Sequence, residues 1–159
     1  MWLLLNMSLS ACSSSDTQAR YRRDSGVYAA IVQSLVGAVP ATAPAALVYL
    51  SPIDDAGSVP LEVQASVIKK LAPRIDAKFV DARQQALDDS LAGVPVLDDG
   101  ILLVVPKVPA SGETFDLRVE RYRATTDRSL VHVELRDADP TALGWVARVL
   151  SEEPVAPAK

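Results

Sequence analysis

Beyond residue 93 the hydrophobic pattern of this chain changes to a period of two, and that switch does most to limit what it can fold into. "ILLVV" (101–105) is apolar throughout, as in a strand buried on both faces. "TFDLRVERYRA" (114–124) sets Phe115, Leu117 and Val119 against Asp116, Arg118 and Glu120. "SLVHVELRD" (129–137) sets Val131, Val133 and Leu135 against Leu130, His132 and Glu134, and "GWVARVLS" (144–151) aligns Trp145, Ala147 and Val149. Short turns join these runs, so they predict an antiparallel meander with one wet face.

Upstream the pattern is mostly helical. "DSGVYAAIVQSLVG" (24–37) predicts a helix capped by Asp24 or Ser25, striped by Val27, Ile31 and Leu35 with Tyr28 and Val32, and stopped at Gly37. "ALVYLS" (46–51) predicts a strand that Pro52 ends. Ser58 is placed to cap a second helix with Pro60 in its first turn and a stripe of Leu61, Ala65, Ile68 and Leu71. "RIDAKFVDA" (74–82) alternates as a half-buried strand, and Asp81 can cap a short polar helix in "ARQQALDDSLAG". Helices gathered before a run of strands imply an α+β domain, its helices on one face of a curved, mainly antiparallel sheet. In element order this resembles the cystatin-like or cone-shaped architectures.

The chain has 159 residues, 49% of them hydrophobic and 23% charged, which is a globular composition. A chain of about 150 residues buries roughly 70% of its unfolded surface, enough for one core. The net charge of −4 and the scattered basic residues argue against nucleic acid as a partner. One cysteine allows no internal disulfide, and with a single histidine it offers no Cys/His metal set.

That cysteine, Cys12, follows an uncharged, mainly apolar run from residue 2 to residue 11. Ten residues of helix span about 15 Å, half of a bilayer core, so the run suits the apolar region of an export signal. Leu9-Ser10-Ala11-Cys12 resembles the lipobox of a bacterial lipoprotein precursor. The resemblance implies acylation of Cys12 and cleavage between Ala11 and Cys12, despite the missing basic residues at the start. The expected organisation is a signal peptide over 1–11, a lipidated flexible tether over 12–23, one α+β domain over 24–151 and a disordered tail over 152–159. The body also resembles a group of uncharacterised small exported α+β lipoproteins in "VYAAIV", "KFVDA" and "DDGILLVV". That group implies no activity.

Three pairs of adjacent carboxylates, Asp54-Asp55, Asp88-Asp89 and Asp98-Asp99, are the first candidates for chemistry, as cation ligands or as acid and base. Each sits beside a turn signal and none lies in a calcium-loop frame, so turn chemistry accounts for them better. His132 lacks a nucleophile motif nearby, because Ser129 points to the opposite face and Glu134 to the same one. Arg118, Glu120, Tyr122, His132 and Glu134 form a candidate binding face; the plainer account is cross-strand pairing of Arg118 or Glu120 with Glu134 and Arg148. The sequence therefore predicts an exported, membrane-anchored envelope lipoprotein with a non-enzymatic binding or assembly domain, without cofactor or metal. It would meet the membrane through Cys12 and bind an envelope protein or small ligand. An exported hydrolase or cation-dependent enzyme using the Asp pairs or His132 is the alternative.

Overall fold

The structure is a computed structural model that describes residues 10–53, 57–139 and 144–156, with side chains from Ser15 onward except Asp139. Its elements in chain order are α1 (Ser10–Val36), β1 (Ala46–Pro52), α2 (Leu61–Leu71), β2 (Ile75–Phe79), β3 (Ile101–Val105), β4 (Thr114–Ala124), β5 (Asp127–Asp139) and β6 (Gly144–Pro154). Two helices pack on a six-stranded, mixed and mostly antiparallel open sheet of order β2-β1-β3-β4-β5-β6.

The sheet has two halves with different physics. β1 is parallel to both β2 and β3. Parallel neighbours need long crossovers; α2 supplies one on the helical face, and the segment 80–99 supplies the other by crossing the opposite face. Both faces of β1 and β3 are thereby covered, which is why "ALVYL" and "ILLVV" are unbroken apolar runs. β3 through β6 form the antiparallel meander that the period of two predicts. There α1 covers the helical face, where Leu117, Val119, Val131, Val133, Leu135 and Trp145 point into the core, and beyond Tyr122, which the segment 80–99 covers, the opposite face is open.

α1 begins well before Asp24. Residues 12–23, expected as a flexible tether, belong to this helix, and Ser15–Arg20 lie exposed along it. The buried stretch Ser25–Val32 nucleates the helix, and extending it costs little through residues such as Gln18, Ala19 and Arg20. Ser25 is accordingly no cap: its hydroxyl donates to the Arg22 carbonyl at 2.8 Å and accepts from Ser66 of α2 at 3.2 Å. Gly37 closes α1 with φ +76° and an N–H bonded to the Gln33 carbonyl, as its position predicts.

In α2 the buried stripe is Val63, Val67 and Leu71. Of the expected stripe only Leu71 is inside; Leu61 and Ile68 are 76% and 41% exposed. No side chain caps α2, and Pro60 rather than Ser58 is its N-cap residue. The polar helix expected over 82–93 is one 3-10 turn, Arg83–Ala86, followed by irregular chain. At the other end β6 runs to Pro154, so Glu152 and Glu153, expected in a disordered tail, pair with Val131 and Leu130 of the long β5. Of the expected signal peptide 1–11, residues 1–9 lie outside the described residues, as does the side chain of Cys12.

Candidate functional site

On the meander's uncovered face, alternate residues of β4 and β5 stand side by side. The register sets Asp116 opposite Glu134, Arg118 opposite His132 and Tyr122 opposite Arg128. Arg118, Glu120, His132 and Glu134 thus share one face, as predicted. Tyr122 shares it too but is 4% exposed, because the segment 80–99 lies over it. Its hydroxyl donates to the Val94 carbonyl at 2.8 Å, and the Arg83 guanidinium sits 5.1 Å above its ring. A strand-period reading finds the face of a side chain but not a loop that returns to cover it.

Glu120 does not pair with Arg148. It accepts from Arg83 at 3.0 Å and from Arg128 at 2.8 Å and 3.3 Å, closing the edge of the covered patch with charge-assisted bonds. His132 does have an acid beside it: its Nε2 lies 3.4 Å from Asp116 Oδ2. Ser129 is buried on the opposite face, as expected, and Ser151 of β6 is the residue in register with His132.

The two carboxylate pairs among the described residues sit in turns. Asp88 accepts from both the backbone N–H and the hydroxyl of Ser90, a side-chain turn. Asp98 and Asp99 both have φ +54°, a left-handed backbone that Asp tolerates better than most residues. Asp54-Asp55 lies outside the described residues. Among the described residues no three His, Cys, Asp or Glu side chains gather where they could hold a metal ion.

A cavity of about 240 Å³ opens between α1, the start of α2 and the β3–β4 connection. Arg20, Asp24 and Tyr28 line it from α1, one turn apart, with Val63, Lys107 and Val108 across from them. Burial raises the Asp24 carboxyl above its ordinary range, against the pull of Arg20 and Arg23. Burial, and then the charge of Asp24, push the Tyr28 phenol up to about 12. The spacing of 20, 24 and 28 is visible in the sequence, but what faces it is fixed only by the packing of α2.

Arg23 holds this end of α1 in place. Its guanidinium lies 5.2 Å from the rings of both Phe115 and Trp145 and donates to the carbonyls of Pro109 and Gly112. No helix among the described residues is long and apolar enough to cross a membrane. Comparison with protein-family models, curated proteins and solved structures gave no match.

Proposed function

We propose that this chain is an envelope lipoprotein, acylated on Cys12, whose α+β domain works by binding or assembly and not by catalysis. The observation that carries the reading is Leu9-Ser10-Ala11-Cys12 behind an uncharged apolar run. The exposed stretch Ser15–Arg20 supports it, since it leaves the domain accessible beyond the anchored end. Anchoring would raise the effective concentration of the domain near membrane partners, and lipobox cysteines resemble multiply acylated ones, as stable attachment requires. For the fold we keep the cystatin-like or cone-shaped variety of α+β, supported by α1 lying on one face of the β3–β6 meander.

The binding surface in this reading is the open polar face around Arg118, His132 and Glu134. Intact mass of the protein from its native host, with membrane fractionation, is the test. The expected result is an N-terminus at Cys12 carrying acyl mass, with both acylation and membrane retention lost in Cys12→Ser. A full-length, unmodified chain in the soluble fraction would end the proposal.

A hydrolytic reading has one observation in its favour, the carboxylate of Asp116 beside His132 with Ser151 in register across the strand pair. It requires turnover of a simple ester that disappears in both His132→Ala and Ser151→Ala. Equal rates in the wild type and both variants would remove it.

A further inference from the structure

The sheet ends in two edges that are managed very differently. β2 is five residues long and carries Asp76 and Lys78, a short and charged edge of the kind that discourages further pairing. β6 is eleven residues long, bears no lysine, and exposes Val146, Val149 and Leu150 to 55%, 41% and 43%. β5 alone pairs with it among the described residues, so its outer row of backbone donors and acceptors lies open.

An irregularity in β6 gives this edge a self-complementary charge pattern. His132 pairs with Ser151 but the next residue, Val133, pairs with Val149, so Leu150 is the extra residue of a bulge. In a regular strand, residues five apart point to opposite faces. Across the bulge, Arg148 and Glu153 instead lie on the same face, opposite Glu134 and Leu130 of β5. Both are exposed, and neither has an ion-pair partner among the described residues.

We propose that β6 is the interface with a second copy of this chain, the two strands pairing antiparallel about a two-fold axis at Leu150–Ser151. In that register Arg148 of each copy faces Glu153 of the other, and Val149 faces the aliphatic stem of Glu152. Glu152 keeps its ion pair with Arg121. The interface is isologous, and the sheet continues from one copy into the next. The proposal deepens the assembly reading above but does not depend on acylation.

The test is sedimentation equilibrium of the full chain carrying Cys12→Ser, over a wide concentration range. The wild-type edge gives a reversible dimer. Arg148→Glu and Glu153→Arg each place like charges opposite one another twice, and each weakens the dimer by about tenfold or more. The double variant restores it, which also shows that the single variants were folded. A monomer at every concentration overturns the proposal, and so does a dimer indifferent to both reversals. A monomer whose β6 amides are protected only by an added extended peptide would assign the edge to another partner and overturn it equally. The mass measurement on Cys12 is untouched by any of these outcomes.

Discussion

Tyr28 shows how one buried group writes a pH dependence into the whole domain. The folded state holds the phenol proton up to about 12, whereas an unfolded chain releases it near the ordinary value of 10.0. Stability from this group is therefore complete below pH 10 and lost as the pH rises through the window to about 12. The loss amounts to about 2 kcal/mol, and urea titrations across that window should show it in the wild type and not in Tyr28→Phe. Gly100 is a second sensitive position, for steric reasons. A Cβ there would lie 3.1 Å from the Leu97 carbonyl oxygen, 3.3 Å from that of Leu47 and 3.2 Å from the Tyr49 ring. Two of those neighbours are backbone and cannot swing aside, so Gly100→Ala should cost about 1–3 kcal/mol in thermal or urea unfolding.

α2 is the element on which sequence and structure part company, and it makes a sharp prediction. Val67 is fully buried, whereas Ile68, its neighbour, is 41% exposed. Val67→Ala should cost about 2 kcal/mol, whereas Ile68→Gln should stay within about 0.5 kcal/mol, both read from urea midpoints. The stripe expected from the sequence implies a large loss at Ile68, so one pair of variants decides between them. The physical source of the discrepancy is that "LEVQASVIKKL" carries two apolar stripes, and helical periodicity cannot rank them. The choice falls to Val63 and Val67 because α2 packs against α1 and β2 with that stripe in the core, a tertiary outcome. β4 and β5 were legible for the opposite reason, since only one of their faces is apolar. The candidate face was legible to the same extent: alternation places Arg118, Glu120, His132 and Glu134 together, but nothing local announces that Arg83, thirty-seven residues away, will take Glu120.

At the scale of the molecule the sheet has a thick cover and a thin one. The helical cover buries one continuous core from Val27 on α1 through Val48 and Leu103 to Leu135. The other cover, residues 80–99, buries a small cluster around Tyr49, Leu102 and Tyr122. It is held by few bonds: Val80 N–H to the Leu50 carbonyl at 3.0 Å, Val96 N–H to the Arg123 carbonyl at 2.8 Å, Thr125 N–H to the Gly93 carbonyl at 2.9 Å, Tyr122 to Val94, and Arg83 to Glu120. Local opening follows the number of buried contacts, so this cover should open independently of the rest. Arg83→Ala removes its ion pair and the ring contact with Tyr122 together, at a cost of about 1 kcal/mol. In native-state hydrogen exchange the amides of Val96 and Thr125 should then exchange about fivefold faster, while those of Val131 and Val133 in the core keep their wild-type protection. Equal acceleration at all four would mean that the two covers unfold as one unit, and that the small cluster contributes as much to cooperativity as the large one.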